Sequence, residues 1–238
     1  MSTLTEPAAP PRTLDVRRLG LIAYADALAL QAELVAARRA GEVPDTLLLL
    51  EHPHVITLGS GSHEENVLVS AEERAARGIE LFETGRGGDV TYHGPGQLVG
   101  YPILDLKRHK QDLHWYLRQV EEVLIRALAP VGVPAERNAG LTGVWTSGRK
   151  IASIGVHARD WVTWHGFALN VTTDLSYFDL IVPCGIAGVD MTSAWRELEH
   201  ESVTVASVAD SVVRGFGEVF DLVPRTITRG MLALDVPA

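Results

Sequence analysis

Cysteine is almost absent from this sequence of 238 residues, which contains only Cys184. A single thiol cannot form an internal disulfide, and it cannot build a metal site rich in thiolates. Cys184 is therefore either an inert packing residue, which is the commoner state of a free cysteine, or a reactive thiol. Pro183 and Gly185 favour a turn around it, and an exposed turn is where a nucleophile would lie.

Long hydrophobic runs are absent as well, since the leucines of residues 47–50 are followed directly by Glu51 and His52. A membrane helix needs about 20 apolar residues, so the sequence predicts no membrane protein. Residues 1–11 lack the basic start and the apolar middle of a secretion signal. We therefore expect a cytoplasmic protein, with residues 1–13 as a disordered tail. The formal net charge of −9 argues against broad binding to nucleic acid.

Lysine is the scarce cation, because the sequence has only Lys107, Lys110 and Lys150 against eighteen arginines. A nucleotide composition that favours arginine codons would explain this bias. Where lysine persists, however, it can do what arginine cannot, because a buried lysine can give up its proton near neutral pH.

Strand alternation predicts the direction in which Lys150 points. It gives Lys150 the same face as Ala152, Ile154, Val156 and Ala158, and it gives the opposite face to Ser153, His157 and Arg159. Lys150 would then lie on the apolar side of its strand. The same parity fits a lysine at a strand end whose ammonium group reaches out to water, which is the commoner arrangement.

Hydrophobic periodicity predicts three long helices, over residues 22–40, 111–128 and 203–220. The apolar stripe of the second helix consists of Leu113, Leu117, Val120, Leu124 and Leu128. Ser70 and Glu73 match a capping box that opens a further short helix. The predicted strands are residues 46–50, 55–58, 79–83, 98–106, 141–146, 150–159 and 162–172.

Turn residues separate these strands. Pro53 prevents a continuous ladder between the first two strands, and turns are predicted at Ser147-Gly148 and around Asp160. No repeat or linker divides the chain. Strands interleaved with long helices therefore predict one α+β domain over residues 14–238.

Residues 86–97 are rich in glycine, with four glycines in twelve positions. Glycines let backbone N–H groups approach a ligand closely, and Thr91, Tyr92 and His93 would supply the walls of a pocket. A Gly-Gly-Asp turn followed by a Gly-Pro-Gly corner explains the same composition without a ligand. The segment lacks the sequence of a P-loop and the glycine spacing of a dinucleotide site.

Five histidines stand in or beside these segments, namely His52, His54, His93, His157 and His165. Pairs at a spacing of two on a strand can bind zinc, but hydrogen-bonded histidines are commoner, and no glutamate stands at metalloprotease spacing. We therefore expect no metal.

Five segments, in this order, resemble the motifs of the lipoyl(octanoyl) transferase family. They are residues 51–59 (EHPHVITLG), 86–97 (RGGDVTYHGPGQ), 149–155 (RKIASIG), 165–170 (HGFALN) and 183–186 (PCGI). The resemblance spans residues 14–222. It implies the fold of biotin and lipoate protein ligases, an α+β domain whose mixed sheet is flanked by helices, with the active site in a groove.

The resemblance also implies an acyltransferase that needs no cofactor. Such an enzyme takes an octanoyl group from acyl carrier protein onto a cysteine and passes it to a lysine of a lipoyl domain, such as glycine cleavage H protein or a 2-oxoacid dehydrogenase E2 subunit. The resemblance assigns Cys184 as the nucleophile and Lys150 as the general acid/base. The implied substrate-binding residues are Arg86, Gly87, Gly88, Asp89, Val90, Thr91, Tyr92, His93, Ser153, Ile154, Gly155, Gly166, Phe167 and Ala168. Backbone N–H groups beside the glycines would form the oxyanion hole.

Two other functions fit parts of the pattern. An ATP-dependent lipoate or biotin ligase on the same fold would need no cysteine, so the Pro-Cys-Gly turn favours transfer. A non-catalytic acyl-binding module would keep the pocket without turnover. We expect a monomer that binds neither nucleic acid nor membrane. Because acyl carrier protein is acidic, docking would need a basic patch, for which residues 107–110, or Arg137 with Arg149, are candidates.

Overall fold

Ten strands and five α-helices, with short 3-10 helices between them, make up the fold in a computed structural model that describes residues 11–186, 188–199 and 203–227. The strands are β1 (Thr13–Leu21), β2 (Asp45–Glu51), β3 (Val55–Leu58), β4 (Glu80–Glu83), β5 (Thr91–His93), β6 (Gln97–Ile103), β7 (Val144–Thr146), β8 (Arg149–Arg159), β9 (Val162–Asn170) and β10 (Val223–Thr226). The helices are α1 (Tyr24–Ala40), α2 (Ala71–Ala76), α3 (Leu113–Leu128), α4 (Ala194–Glu197) and α5 (Val205–Phe220). Residues 1–10 of the predicted tail lie outside the described residues, and Thr13 already belongs to β1.

The strands form a seven-stranded mixed sheet and a smaller sheet of three. The order in the large sheet is β10-β1-β2-β6-β9-β8-β7, and only the pairs that include β1 are parallel. The small sheet has the order β4-β3-β5. The chain leaves the large sheet between β2 and β3, at the predicted interruption around Pro53, because proline cannot donate to a ladder.

Helices cover both faces of the large sheet, which explains the unbroken leucines of β2. Leu47 and Leu49 face the core beneath α3 and α5, whereas Leu48 and Leu50 face the core beneath α1. Alternate residues of a strand point to opposite faces, and here both faces are covered. A third core lies between the small sheet and the segment that carries Cys184.

The three long helices are confirmed, but the predicted stripe of α3 is wrong at its beginning. Asp112 caps this helix by accepting a hydrogen bond from the Trp115 N–H at 3.0 Å. Val120 is fully buried, as predicted, whereas Leu113 in the first turn is 39% exposed. Tyr116, four residues before Val120, occupies the core position instead, because the core does not extend beneath the first turn.

The β8–β9 hairpin sets one wall of the site. Asp160 and Trp161 both have positive φ angles, 52° and 68°, as expected for the tight turns that match the twist of paired strands. The Ser147-Gly148 turn between β7 and β8 has the same character, with φ angles of 48° and 76°. Both predicted turns are confirmed, and together they align β7, β8 and β9 side by side.

Candidate active site

Lys150 and Cys184 meet at one end of a cavity between the two sheets. The Lys150 Nζ atom donates a hydrogen bond to Cys184 Sγ at 3.1 Å, although the two residues are 34 positions apart. The Ser153 hydroxyl lies 3.9 Å from the same sulfur. The structure therefore brings together the only cysteine of the sequence and one of its three lysines.

The prediction that Lys150 shares a face with Ala152 is wrong, because β8 contains a bulge. Trp145 pairs with Lys150 and Val144 with Ala152, so Ile151 is an extra residue on β8. A bulge breaks the alternation of side chains. Lys150 and Ser153 consequently both reach the Cys184 sulfur, whereas Ala152 packs into the core.

Burial of Lys150 decides between its two predicted arrangements. Its side chain is 2% exposed, so the ammonium group does not reach out to water. The Nζ atom lies 5.0 Å from the centre of the Trp145 ring, and the backbone N–H of Lys150 donates to the Asp190 carbonyl at 2.8 Å. The lysine stem is thus fixed along its length, with its nitrogen directed at the thiol.

The loop that carries Cys184 holds it in an uncommon conformation. Cys184 has φ 59° and ψ 17°, in the left-handed region that non-glycine residues rarely adopt. Its N–H donates to the Val90 carbonyl at 3.0 Å, which ties the loop to the glycine-rich segment. Backbone conformations of this kind cost about 1–3 kcal/mol and are common at functional sites.

The carboxylate of Asp89 packs against the loop that carries Cys184. Its carboxylate accepts hydrogen bonds from the Val90 N–H at 2.6 Å and from the Asn66 amide at 2.7 Å. Gly185, with φ 66°, lies directly against it, and a Cβ at Gly185 would overlap the carboxylate. Glycine at position 185 is therefore required by the space beside Asp89 as well as by the turn.

A cavity of about 160 Å³, open to solvent, extends from the two reactive groups along β8 and β9. All the predicted substrate-binding residues line it except Tyr92. Side chains alternate along β5, so Thr91 and His93 face the cavity whereas Tyr92 points into the core of the small sheet and bonds to the His54 ring at 2.7 Å.

Five lining residues were missing from the sequence prediction, namely Tyr24, Tyr101, Thr142, His165 and Ile186. His165 and Ile186 lie inside segments that carry the resemblance, so those segments contained a signal for them. Tyr24 and Tyr101 come from α1 and β6, and no motif marks either. The order of strands in the large sheet brings Tyr101 to the cavity, and the packing of α1 against β6 and β9 brings Tyr24 there.

Close backbone approach explains the glycines of the cavity walls. A Cβ on Gly155 would lie 2.7 Å from the Gly87 carbonyl oxygen, and one on Gly166 would overlap the Gly100 carbonyl. Arg86 is buried, and its guanidinium donates to the Thr57 carbonyl at 2.7 Å and to the Thr57 hydroxyl. Burial lowers the pKa of Arg86, but arginine remains charged at neutral pH.

Two neutral histidines, His93 and His165, line the cavity, and the ring of His52 packs against that of His93. Burial lowers the pKa of His93 to about 3 and the pKa values of His52 and His165 to about 4. His52 bonds to the Tyr101 hydroxyl at 2.7 Å, and His93 bonds to the Gln97 side chain at 2.8 Å. At neutral pH these histidines carry no charge, and the charged Arg86 guanidinium lies close enough to lower the pKa values of His93 and His165 further.

From the lowered pKa values of these histidines we expect the protein to lose stability as the pH falls, at pH values above those at which its carboxylates become protonated. A histidine with a pKa of 6.5 when unfolded and about 4 when folded binds more protons in the unfolded state between those values. The free energy of unfolding should therefore fall as the pH decreases from about 6.5 toward 4, by up to about 1.4 kcal/mol per pH unit for each such histidine. Urea unfolding at a series of pH values measures this slope. His52→Gln should make it shallower, and an unchanged slope would contradict the assignment.

Neither a metal centre nor a membrane helix is found in the part of the chain that the structure describes. No group of three or more histidine, cysteine, aspartate or glutamate side chains there is arranged to hold a metal ion. No helix among those residues is long and apolar enough to cross a membrane. The absence of a metal and a cofactor from the reaction stays a prediction.

Comparison with known proteins identifies the family. The family model described as the lipoyl protein ligase A/B catalytic domain matches residues 23–217. An octanoyltransferase of Rubrobacter xylanophilus is 54% identical over 209 residues, which cover 87% of this chain and 93% of the relative. An octanoyltransferase of Acidobacterium capsulatum is 53% identical over 221 residues, which cover 87% of this chain and 90% of the relative. The chain belongs to the octanoyltransferase family.

Solved structures show the same fold at low sequence identity. A bipartite lipoate protein ligase from Thermoplasma acidophilum, studied with its E2 lipoyl domain, matches with a TM-score of 0.73 at 20% identity over 92% of this chain and 88% of that one. Biotin protein ligase from Aquifex aeolicus matches with a TM-score of 0.50 at 12% identity over 88% and 70% of the two chains. The predicted α+β fold with a mixed sheet flanked by helices is confirmed, as is the octanoyltransferase resemblance.

Proposed function

We propose that this octanoyltransferase-family chain moves an octanoyl group from acyl carrier protein to a lysine of a lipoyl domain through a thioester on Cys184. Octanoyl transfer follows from its family. The observation that supports the route is the 3.1 Å contact between Lys150 Nζ and Cys184 Sγ at the mouth of the cavity. Lys150 acts as the general acid/base in both halves of the reaction.

In the first half, the thiol proton of Cys184 passes to Lys150, and the resulting thiolate attacks the thioester carbonyl of the donor. The bond between the carbonyl carbon and the pantetheine sulfur breaks, and the departing sulfur takes the proton back from the Lys150 ammonium group. The products are the Cys184 thioester and a free pantetheine thiol. Lys150 ends this half as a neutral amine, which is the state that the second half requires.

In the second half, the neutral amine of the acceptor lysine attacks the Cys184 thioester. Lys150 removes one proton from the attacking nitrogen, an amide bond forms, and the bond to the Cys184 sulfur breaks. The enzyme is left with a Lys150 ammonium group and a Cys184 thiolate, ready for the next donor. The two transfers thereby divide one difficult amide synthesis into two easier steps.

The acyl chain would lie in the cavity along β8 and β9. Ser153 and Ala168 pair beside the sulfur, and the pairs that follow are Ile154–Phe167, Gly155–Gly166 and Val156–His165. Three residues of strand span about 10 Å. An extended octanoyl chain also measures on the order of 10 Å, given carbon–carbon bonds of about 1.5 Å. His165 therefore lies about where the extended chain would end.

The amides of the nucleophile loop do not form an oxyanion hole in this conformation. The N–H of Cys184 donates to Val90, and that of Gly185 donates to the Val182 carbonyl at 3.0 Å. The N–H of Gly87 likewise donates to the Val156 carbonyl at 3.0 Å. The oxyanion donors beside the glycines therefore stay a prediction.

The acyl source distinguishes this proposal from an ATP-dependent ligase and from an acyl-binding module. The purified chain is expected to form an octanoylated lipoyl domain from octanoyl-acyl carrier protein in the absence of ATP. Intact-mass measurement of the acceptor would detect the product, and octanoic acid with ATP would serve as the comparison. Product that depends strictly on ATP would favour a ligase, whereas tight acyl binding without product would favour a binding module.

The donor in this proposal is octanoyl-acyl carrier protein, and the acceptor is a lipoyl domain of glycine cleavage H protein or of a 2-oxoacid dehydrogenase E2 subunit. We place the reaction in the cytoplasm, and we expect the chain to act as a monomer.

Both predicted basic patches lose support for donor docking. Arg149 pairs with Glu197 at 2.8 Å, and Arg137 pairs with Glu122 at 2.7 Å. Lys107 lies near Asp160, at the other end of β8 and on the order of 30 Å from Lys150.

A further inference from the structure

The indole of Trp145 lies against Lys150 but takes no part in the acyl-transfer steps. The centre of its ring is 5.0 Å from Lys150 Nζ, and the two side chains are only 3% and 2% exposed. A cation within about 6 Å of an aromatic face is attracted by the ring quadrupole, and tryptophan is the strongest partner of this kind. The attraction is larger where water is excluded, as it is here.

Strand pairing fixes this contact. Trp145 lies opposite Lys150 in the β7–β8 ladder, and its backbone exchanges hydrogen bonds of 2.8 and 2.9 Å with Glu136. Gly143 leaves space for both side chains, because a Cβ there would lie 2.8 Å from Lys150 Cε and 3.3 Å from the indole. The ring and the lysine stem are therefore packed in one arrangement.

The charged groups around the pair leave the ammonium group with few partners. Glu121 binds the Gly143 N–H at 3.1 Å, but its carboxylate is already paired with Arg118 and Arg137. Asp89 packs against the Cys184 loop and accepts a hydrogen bond from the Asn66 side chain. Arg86 lines the same cavity as the sulfur and interacts with it electrostatically.

No carboxylate of the described chain forms an ion pair with Lys150; its contacts with polarisable groups are those with the sulfur and the indole. A positive charge on Nζ is therefore stabilised mainly by a thiolate and by the face of Trp145. The neutral amine gains nothing from the ring quadrupole.

We propose that Trp145 is a positioning residue that favours the ammonium form of Lys150 and, through it, the thiolate form of Cys184. The inference rests on the Lys150–Cys184 pair of the proposed function. Transfer of the thiol proton to Lys150 places a positive charge against the ring. Without the ring, the ratio of the ion pair to the neutral pair should fall by about 2- to 30-fold.

Alkylation by iodoacetamide across a range of pH tests this directly and needs no substrate. Because the chain has one cysteine, the rate reports on Cys184 alone. Trp145→Leu is expected to lower the rate at neutral pH by up to about 30-fold, and Trp145→Phe by less, since its ring attracts cations more weakly. At alkaline pH, where every thiol is ionised, both variants should react like the unsubstituted chain. That alkaline rate also reveals a misfolded site.

Two further variants separate the outcomes. Trp161→Leu makes the same change in the β8–β9 turn and should leave the pH profile unchanged, whereas Lys150→Met should lower the rate at neutral pH. If Lys150→Met lowers that rate but both Trp145 variants keep it, the role of Trp145 is overturned and the catalytic pair stands. If Lys150→Met also keeps the rate, the pair itself fails, and the inference about Trp145 fails with it.

Discussion

Lys150→Arg is expected to reduce kcat/KM for octanoyl transfer by about 10²- to 10⁴-fold, although it preserves the positive charge. Guanidinium does not lose its proton in proteins, so it cannot accept the thiol proton of Cys184 or the proton of the acceptor amine. The larger group also has no room in a site that is 2% exposed and bordered by Gly143 and Trp145. Single-turnover measurements of enzyme acylation and of transfer to a lipoyl domain would show the loss in both halves.

Lys107→Arg is the matched control, because Lys107 is exposed and lies at the other end of β8. It should leave both half-reactions unchanged. A thermal melt of Lys150→Arg separates a chemical loss from a folding defect, since overpacking of a buried site alone costs about 1–3 kcal/mol. Turnover of the well-folded Lys150→Arg variant within a few-fold of the unsubstituted chain would refute the acid/base role.

Periodicity and turn residues predicted the three long helices and seven of the ten described strands, but they missed β1, β5 and β10. The three long helices, the hairpin turns at Ser147-Gly148 and Asp160, and the break at Pro53 all appear where local patterns placed them. These features depend on neighbours within a few residues, so the sequence contains their cause directly. The stripe of α3 failed at Leu113, because the end of the core is a property of the packed sheets and not of the helix.

Local sequence patterns predicted the arrangement of the site less well than they predicted the fold. Alternation along β8 placed Lys150 on the wrong face, because the extra residue Ile151 arises from pairing with β7. Taken singly, the residues favoured an inert cysteine and a lysine that reaches water, and only the joint resemblance reversed both interpretations. Tyr24 and Tyr101 reach the cavity from α1 and β6, so only the packing of α1 on the large sheet and the strand order reveal them.

Cys184→Ala is expected to abolish acyl-enzyme formation and to lower octanoyl transfer by about 10³-fold or more, because no other thiol in the chain can form the intermediate. Intact-mass analysis after mixing with octanoyl-acyl carrier protein should show one octanoyl adduct on the unsubstituted chain, removed by hydroxylamine. The variant should show none.

Ser153→Ala provides the matched control for this loss. The Ser153 hydroxyl lies 3.9 Å from the same sulfur, on the same wall of the cavity, and it is the hydroxyl nucleophile that β8 offers there. Removing it should leave the adduct in place, because the thioester forms on sulfur. An adduct that survives Cys184→Ala but disappears in Ser153→Ala would move the nucleophile to the hydroxyl. An adduct absent from the unsubstituted chain under turnover would refute the covalent route, because a thioester on Cys184 is what joins the two half-reactions.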